Sequence, residues 1–285
     1  MTENYLDIHK VKKSFTNFIL NDITFSLPKG YIMGLIGSNG AGKTTTIKLI
    51  LNMLEKDQGK IDIFGYDNVK NEKEVKQHIG VVFDNNFFVD SWTVKETEKA
   101  ISVFYDKWDH KIFQKMIQKF GLSDNIKIGN FSRGMQIKLM LACAFSHNAK
   151  LLILDEPTSG LDAATRNEFL EILQDYIKDG EKSVLFSTHI TTDLEQVADY
   201  ITYIERGELI FTGSKDELLQ KYMLIKGAPN EMTDELKKNI LGIRQTNIGF
   251  EGLIDAEIGR KYKNKYILDN PTIDEIIIHI NKEVR

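Results

Sequence analysis

A run of nine residues from Gly37 to Thr45 has the types and spacing of a phosphate-binding loop. It reads Gly-Ser-Asn-Gly-Ala-Gly-Lys-Thr-Thr and matches the pattern G-x-x-x-x-G-K-[ST] at every fixed position. Its glycines let backbone N–H groups turn toward phosphate oxygens, and a helix that begins here would direct its partly positive N-terminus at them. Lys43 would reach the terminal phosphates, and the Thr44 hydroxyl would bind the Mg²⁺ that accompanies a nucleotide. The predicted nucleotide-binding residues are Gly37, Ser38, Asn39, Gly40, Ala41, Gly42, Lys43, Thr44 and Thr45.

Polar residues follow two other apolar segments of the chain. Leu151 to Leu154 lead into Asp155 and Glu156, and Ser183 to Ser187 lead toward His189. Both segments are typical of buried parallel strands, whose carboxyl ends meet at the ligand-binding edge of an open α/β sheet. Asp155 can hold Mg²⁺ with its water shell, and Glu156 can orient or deprotonate the attacking water. A histidine after a strand is more often structural, but at this edge we expect His189 to meet the terminal phosphate. The candidate catalytic residues are Glu156, His189 and Lys43.

Two further residues each have two interpretations. Phe15 lies on the connection between two predicted strands, where its ring could stack on a purine or pack in the ordinary way. Ser132 precedes a helical run from Gln136 to Ala149. It is well placed to cap that helix, and a cap that also directs donors at an anion fits the sequence equally well.

Alternating and helical patterns predict the elements that position these residues. Leu6 to Leu27 has the pattern of an antiparallel ribbon, and Ile201 to Phe211 that of a closing hairpin. A helical pattern from Trp92 to Phe120, with Phe104 on its apolar stripe, predicts an inserted helical subdomain over about 85–145. The other predicted elements are strands Tyr31–Ile36, Gly59–Gly65 and His78–Phe83 and helices Thr44–Leu54 and Ala163–Lys178.

The composition of the 285 residues limits the classes of protein to consider. A net charge of −4 and a pI near 5.9 argue against a broad nucleic-acid-binding surface, so we expect no nucleic-acid partner. Cys143 is the only cysteine, which excludes an internal disulfide and suits a reducing compartment. No apolar run approaches the roughly 18 residues needed to span a bilayer, and the first residues lack a signal-peptide core. We expect a soluble intracellular chain whose membrane role comes through a partner.

From about residue 5 to 220, the order of the motifs resembles the nucleotide-binding subunit of ABC transporters. That family has a Walker A loop, a Q-loop, a signature, a Walker B strand, a D-loop and an H-loop, in this order. The resemblance implies an α/β P-loop NTPase (ABC-type ATPase) domain over residues 1–220, with an antiparallel β ribbon, a parallel core sheet and the inserted helical subdomain. The counterparts of the six motifs are Gly37–Thr45, Asp84, Phe131–Met135, Leu151–Asp155, Ser159–Asp162 and His189.

The resemblance also implies roles for particular residues. ATP is the expected nucleotide, with Phe15 stacked on its adenine, Glu156 as the catalytic glutamate and His189 as the switch histidine. The expected metal-binding residues are Thr44, Asp84 and Asp155, with Mg²⁺ as the ion. The nucleotide contacts expected from the signature and the D-loop are Ser132, Arg133, Gly134, Met135 and Asp162.

Two of the motifs differ from their usual form in the family. Asp84 stands where the family usually has glutamine, and Phe131-Ser132-Arg133-Gly134-Met135 replaces the usual Leu-Ser-Gly-Gly-Gln. Ser132 and Gly134, the positions expected to touch the γ-phosphate, are retained, and Arg133 adds a charge beside them. This form of the signature resembles exporters of the ABC-2 type, including bacitracin and antimicrobial-peptide resistance systems.

The resemblance implies partners as well. Two cassettes would close head to tail, with each ATP between the Walker A loop of one and the signature of the other, as a homodimer or a heterodimer. A separate transmembrane permease would hold the pair at the cytoplasmic face of the membrane. Its coupling helix would dock near the helical subdomain, where Phe87, Phe88 and Trp92 form an aromatic patch that sequence alone leaves as either core or docking surface.

We therefore expect an ATPase subunit that powers export of an amphipathic peptide or a drug-like molecule. An importer subunit would share every catalytic residue. A soluble ABC-type ATPase of translation or DNA repair usually has two cassettes or a long coiled coil, and this chain has neither. A partner that binds ATP without turnover is suggested only by Asp84 and the altered signature, and the presence of both Glu156 and His189 speaks against it.

Residues 221–285 are predicted to form a small α+β accessory domain. Met223–Ile225 and Ile248–Phe250 have strand patterns, and Met232–Ile240 has a helical one. Pro271 opens a final helix, whose segment Ile273–Ile280 is so apolar that we expect one face to be covered. Packing, dimerisation and regulation are all open as its role.

Overall fold

The computed structural model describes residues 3–84 and 87–283. The chain divides into two compact units, Met1–Ile210 and Phe211–Arg285, ten residues before the domain boundary predicted at residue 220. Each unit has its own sheet and its own buried apolar cluster. The division falls inside a strand that runs from Glu208 to Ser214.

The larger sheet contains ten of the described strands. They are β1 Asn4–Ser14, β2 Ile19–Pro28, β3 Ile32–Ile36, β4 Gln58–Ile63, β5 Tyr66–Asp67, β6 Ile79–Val82, β7 Leu151–Asp155, β8 Ser183–Thr188, β9 Tyr200–Glu205 and β10 Glu208–Ser214. Their spatial order is β5-β4-β1-β2-β10-β9-β3-β8-β7-β6. β1 pairs antiparallel with β2 and β4, whereas β3, β6, β7, β8 and β9 are joined by parallel pairings. The predicted α/β architecture, with an antiparallel ribbon and a parallel core sheet, is confirmed.

The register of the parallel strands β3, β7 and β8 brings three loops to one edge of the sheet. Ile36 of β3 pairs with Thr188 of β8, and Asp155 of β7 pairs with Ser187. Every residue of β3, β7 and β8 is buried, which explains their nearly unbroken apolar sequences. The residues that follow these strands therefore emerge side by side at the carboxyl edge.

Seven helices of the first unit connect or flank these strands. They are α1 Lys43–Ile50, α2 Glu72–Lys76, α3 Val94–Ser102, α4 His110–Lys119, α5 Arg133–Ser146, α6 Ala163–Ile177 and α7 Thr191–Val197. α1 is shorter than the predicted Thr44–Leu54 helix, because the backbone of Asn52 turns left-handed at φ 52°. The inserted helical segment consists of α3, α4 and α5.

The helical run predicted from Trp92 to Phe120 is two helices rather than one. α3 begins with a capping box between Thr93 and Glu96, and α4 begins where Asp109 caps its first amides. Between the two helices the chain leaves the helical path, so Phe104, predicted on the apolar stripe, is 73% exposed. Of the residues predicted on this stripe, Val94 in α3 and Ile117 in α4 are buried, whereas Ile112 is 37% exposed and the neighbouring Phe113 is buried in its place.

The second unit contains a four-stranded sheet in the order β12-β13-β11-β14. Its elements are β11 Tyr222–Gly227, β12 Ile240–Gln245, β13 Phe250–Asp255, β14 Ile267–Asp269, α8 Lys215–Lys221, α9 Asp234–Lys237, α10 Ala256–Gly259 and α11 Ile273–Glu283. The helix predicted over Met232–Ile240 is only the single turn α9, because Ile240 already belongs to β12. The covered face predicted for the last helix is confirmed by the buried Ile273, Ile276 and Ile280.

Asn68 connects the loop after β5 to the end of α1. Its side chain is buried, and its Nδ2 donates to the carbonyls of Leu49 and Ile50 at 2.9 and 3.0 Å. We expect Asn68→Ala to lower the free energy of unfolding by about 1–3 kcal/mol, because the carbonyls of Leu49 and Ile50 each lose a donor away from water. Urea denaturation measures this change. Asn71→Ala is the matched control, since Asn71 makes no capping hydrogen bond with its side chain, and an equal loss in both variants would contradict the argument.

Candidate nucleotide-binding and hydrolysis site

A cleft of about 680 Å³ opens at the carboxyl edge of the parallel strands. It brings together residues from β1–β2, from the loop after β3 and from the ends of β6, β7 and β8. Two lining residues, Phe18 and Ser159, were not among the predicted site residues. The residues that line it are Phe15, Phe18, Asn39, Gly40, Gly42, Lys43, Thr44, Thr45, Asp84, Glu156, Ser159 and His189.

The start of α1 is built to face an anion. Its N-cap is Gly42, which has no side chain to accept the first amides of the helix, so these N–H donors are available to phosphate oxygens. Gly42 has φ +116°, and a Cβ there would lie 2.7 Å from the Cδ1 of Leu20. Both its backbone conformation and its surroundings therefore require glycine.

Lys43 crosses the cleft from this loop to the end of β7. Its Nζ donates to the carbonyls of Gly37 and Ser38 at 2.8 and 3.2 Å and lies 3.2 Å from Oε1 of Glu156. The lysine is 5% exposed. Three oxygen acceptors thus hold its ammonium group at the inner end of the cleft, where a terminal phosphate would offer oxygens of its own.

Glu156 joins the two other predicted catalytic residues. One carboxylate oxygen faces Lys43, and the other, Oε2, lies 2.7 Å from Nδ1 of His189. The backbone N–H of Glu156 donates to the hydroxyl of Ser187 at 2.9 Å. Its φ of +48° is left-handed, a conformation that non-glycine residues keep only when neighbouring groups hold them. The structure therefore brings Lys43, Glu156 and His189 into one line of contacts.

Oxygen donors suited to Mg²⁺ lie next to this line. The Thr44 hydroxyl donates to Oδ1 of Asp155 at 3.1 Å, and the Ser187 hydroxyl donates to the same oxygen at 2.6 Å. A hydroxyl beside a carboxylate fits Mg²⁺, which prefers oxygen ligands and keeps most of its shell for water and substrate phosphates. The third predicted ligand, Asp84, directs its carboxylate to the guanidinium of Arg133 instead. Its metal role stays a prediction.

Ser187 was not predicted as a functional residue, yet it fixes both acids. Its hydroxyl donates to Asp155 and accepts from the N–H of Glu156. In the sequence, the one feature that indicated a role for Ser187 was its position as a polar residue near the end of an apolar strand. Its contacts with Asp155 and Glu156 follow from the strand register, which places Ser187 opposite Asp155.

Glu205, at the end of β9, is a second residue that the sequence analysis missed. Its carboxylate is buried and accepts from the backbone N–H and the hydroxyl of Ser38 at 3.2 and 2.7 Å. The phosphate-binding loop is therefore held from outside by a carboxylate 167 residues later in the chain.

Phe15 stands at the outer end of the cleft. Its ring is 43% exposed and lies 6.2 Å from the ring of Phe18, at 36° to it. A tight backbone contact from the N–H of Phe15 to the carbonyl of Phe18 fixes this turn. An exposed ring at the mouth of a phosphate site has the placement that stacking on a purine requires, and this role stays a prediction.

The signature and D-loop residues do not line the cleft of their own chain, apart from Ser159. Ser132 caps α5 by accepting from the N–H of Met135, as its capping interpretation predicted. Asp162 caps α6 by accepting from the N–H groups of Ala164 and Thr165 and from the Thr165 hydroxyl, and these bonds, the hydroxyl foremost, lower the pKa of its carboxyl. Their predicted contacts to nucleotide stay predictions.

A family model described as ABC transporter matches residues 20–159, which include the phosphate-binding loop, Asp84, the signature and the two acids. The ATP-binding protein NatA of Bacillus subtilis is 35% identical over 225 residues, 77% of this chain and 89% of that protein. The bacitracin transport ATP-binding protein BcrA of Bacillus licheniformis is 29% identical over 259 residues, 88% and 85% of the two chains. The chain belongs to the ABC transporter family. It is an ATPase subunit of that family.

Solved structures of ABC subunits have the same fold. An ATP-binding subunit of an ABC transporter superposes with a TM-score of 0.69 and 27% identity, over 75% of this chain and 91% of the other. A cassette solved as a dimer in a post-hydrolysis state with ADP and Pi gives a TM-score of 0.65 at 21% identity, over 73% and 98%. Within the described residues, no helix is both long and apolar enough to cross a membrane.

The contact between Glu205 and Ser38 predicts a cost to nucleotide binding. In Glu205→Gln, the amide offers one acceptor in place of a carboxylate that accepts twice. A hydrogen bond to a charged group contributes about 1.5–3 kcal/mol, so we expect a fluorescent ATP analogue to bind about tenfold more weakly. Glu208→Gln, at an exposed position of β10, is the control. Equal affinities for the two variants would show that Glu205 does not hold the loop.

Proposed function

We propose that this chain hydrolyses ATP to power an exporter, through a separate transmembrane permease, and that the cargo is an amphipathic peptide or a drug-like molecule. Membership of the ABC transporter family supports the coupling of ATP to transport. The export of such a cargo is supported by the similarity to BcrA, which is named for bacitracin transport, over 88% of this chain. Export is also supported by the signature Phe131–Met135, whose sequence resembles that of ABC-2 type exporters.

The observation that carries the hydrolytic part is the line of contacts from Lys43 through Glu156 to His189. When ATP enters, its γ-phosphate oxygens would replace Glu156 as acceptors for Lys43, because a phosphate brings more negative charge to the same place. Glu156, released from the lysine but still beside His189, would then orient or deprotonate the attacking water. Without nucleotide, the proposed base Glu156 is therefore paired with Lys43, the residue that the γ-phosphate of ATP would bind.

Mg²⁺ is the cation that we propose with the nucleotide, and Thr44 and Asp155 would hold it. The ion supplies electrostatic stabilisation of the charge that develops on the phosphate oxygens. Ser187 would keep Asp155 and the backbone of Glu156 in a fixed relation while the metal is bound, since its hydroxyl already contacts both.

We further propose that two cassettes act together, as a homodimer or a heterodimer. Ser132, Gly134, Met135 and Asp162 would contact the nucleotide of the other cassette, which is supported by their position outside the cleft of their own chain. For Arg133 the same contact is implied only by the resemblance, because its guanidinium is engaged with Asp84 and Glu156 of its own chain. ATP binding would then close the pair, because the signature meets the γ-phosphate only when this phosphate is present.

The proposed location is the cytoplasmic face of the membrane, through the permease. Phe87, Phe88 and Trp92 would receive the coupling helix of the permease. Phe87 is 68% exposed, which favours the docking interpretation of this aromatic patch for that residue. No nucleic-acid partner is proposed, given the net charge of −4. Residues 221–285 are proposed to be an accessory domain.

Affinity purification from detergent-solubilised membranes of the native host tests the transporter function. A tagged chain should bring down a polytopic membrane protein, identified by mass spectrometry, and the same sample shows whether a second cassette accompanies it. Phe87→Glu should reduce this recovery, and Ile248→Glu, at an exposed position in the second unit, is the matched control. Recovery of cytosolic partners alone would contradict the proposal.

The role of Glu156 gives a separate prediction. Glu156→Gln removes the basic carboxylate and keeps its shape, so we expect kcat for ATP hydrolysis to fall by about 10²–10⁴-fold. Binding of ATP should persist, because the phosphate-binding loop is unchanged. Glu171→Gln, on the exposed face of α6, is the control. Wild-type turnover in Glu156→Gln would show that another group activates the water.

A further inference from the structure

Two of the residues that depart from the usual motifs, Asp84 and Arg133, contact each other. Arg133 is the first residue of α5, and Asp84 lies two residues after β6. Nη1 of Arg133 donates to the carbonyl of Asp84 at 2.6 Å, and its Nη2 donates to the Asp84 carboxylate and, at 3.3 Å, to the carbonyl of Glu156. One guanidinium therefore ties the helical segment to the ends of two strands.

Strand register explains why a single side chain can reach both strand ends. Val82 of β6 pairs with Leu154 of β7 in parallel. Asp84 and Glu156 each follow two residues after this pair, so they emerge next to each other. The planar fork of an arginine presents several donors in a fixed geometry, which suits a carboxylate and two carbonyls at neighbouring positions.

The charges at the carboxyl edge of the sheet make the contact between Asp84 and Arg133 important for nucleotide binding. Asp84, Asp155 and Glu156 bring three carboxylates to the site, and Lys43 and Arg133 bring two cations. An ATP molecule adds several negative charges to the same cleft, which Asp84 lines. Without Arg133, the Asp84 carboxylate would face the phosphates uncompensated. Because the side chain of Asp84 is half exposed, solvent and salt screen this repulsion in part.

Arg133 also holds the backbone of the proposed base. Glu156 has a left-handed φ of +48°, and its N–H is fixed by Ser187. Its carbonyl accepts from Arg133 at 3.3 Å and from the N–H of Ser159 at 3.2 Å. A residue in this region of φ persists when surrounding contacts determine it, so losing one of these three backbone contacts gives Glu156 more freedom.

We propose that Asp84 and Arg133 act as one charge-matched unit, in which Arg133 is a positioning residue that neutralises Asp84 beside the γ-phosphate and holds the Glu156 carbonyl. The unit has two separable functions. Neutralising Asp84 requires only a positive charge at residue 133, whereas holding the Glu156 carbonyl at the same time requires the fork of an arginine.

A set of variants in the full chain separates these functions from a general loss of structure. The set contains Arg133→Gln, Arg133→Lys, Asp84→Asn and the double variant Asp84→Asn/Arg133→Gln. Lys138→Gln is the matched control, because Lys138 is on the same helix but pairs with Glu168. The measurements are affinity for a fluorescent ATP analogue with Mg²⁺ at low and high salt, kcat and KM for ATP hydrolysis, and thermal unfolding.

The charge function predicts a particular pattern of affinities. Arg133→Gln should bind the analogue about fivefold to tenfold more weakly, and the loss should shrink at high salt. Asp84→Asn, which changes one half-exposed side chain, should bind it several-fold more tightly. The double variant should return to within about twofold of the wild type, since both charges of the pair are then removed and the net charge beside the phosphates is unchanged. Lys138→Gln should match the wild type.

The positioning function predicts a split between binding and turnover. Arg133→Lys should keep the affinity for the analogue near that of the wild type, because the charge remains. Its kcat should fall about tenfold, because a lysine has no second group for the Glu156 carbonyl. A purely structural role of Arg133 would instead lower the melting temperature and reduce both quantities together.

Three results would overturn the proposal. The first is a double variant that binds the analogue as weakly as Arg133→Gln, which would show that the loss does not come from the charge of Asp84. The second is equal or weaker binding by Asp84→Asn, which would instead fit Asp84 as a metal ligand and would raise the Mg²⁺ concentration needed for half-maximal binding. The third is a wild-type kcat in Arg133→Lys. ATP hydrolysis by the wild-type chain, measured in the same series, keeps these results separate from the ATPase function itself.

Discussion

The contact between Lys43 and Glu156 is the interaction on which the account of this chain depends. It joins the phosphate-binding loop after β3 to the end of β7, two strands that are not neighbours but both pair with β8. The parallel register sets the height at which each loop leaves the sheet, and thereby brings an ammonium and a carboxylate to 3.2 Å. A buried lysine between carbonyls and a carboxylate is satisfied without substrate, so the nucleotide must compete with the chain's own acceptors for it.

Much of the remaining structure serves to keep this edge in place. Ser187 holds Asp155 and the backbone of Glu156, Glu205 holds Ser38 of the phosphate-binding loop, and Arg133 contacts the loop after β7 from the helical segment. Behind them, Thr158 donates to the buried carboxylate of Asp193 at 2.6 Å, and burial raises the pKa of that carboxyl. The reactive groups are therefore held by neighbours from several distant parts of the sequence, which is how a parallel sheet fixes a site.

The local patterns of the sequence were enough to predict which residues lie together at the carboxyl edge of the sheet and the elements that carry them. The loop at Gly37–Thr45, the acids after β7 and the histidine after β8 each follow a short signature in which residue type and chemistry are closely linked. The contacts that hold them were not predictable in the same way. Ser38 and Glu205 are 167 residues apart, and Arg133 and Asp84 are 49 apart, so their pairing depends on strand register rather than on any local pattern. The helix predicted over Met232–Ile240 was wrong for a related reason, because Ile240 pairs with Ile254 in a sheet.

A structure of the chain with Mg²⁺ and a non-hydrolysable ATP analogue, solved together with its Mg²⁺–ADP counterpart, would show whether the nucleotide takes Lys43 from Glu156. With the ATP analogue, Nζ of Lys43 should leave Glu156 for the γ-phosphate, and the direct bond from Thr44 to Asp155 should open to admit the ion. With ADP, Lys43 should stay on Glu156. A Lys43–Glu156 contact that persists unchanged beside a bound γ-phosphate would contradict this prediction.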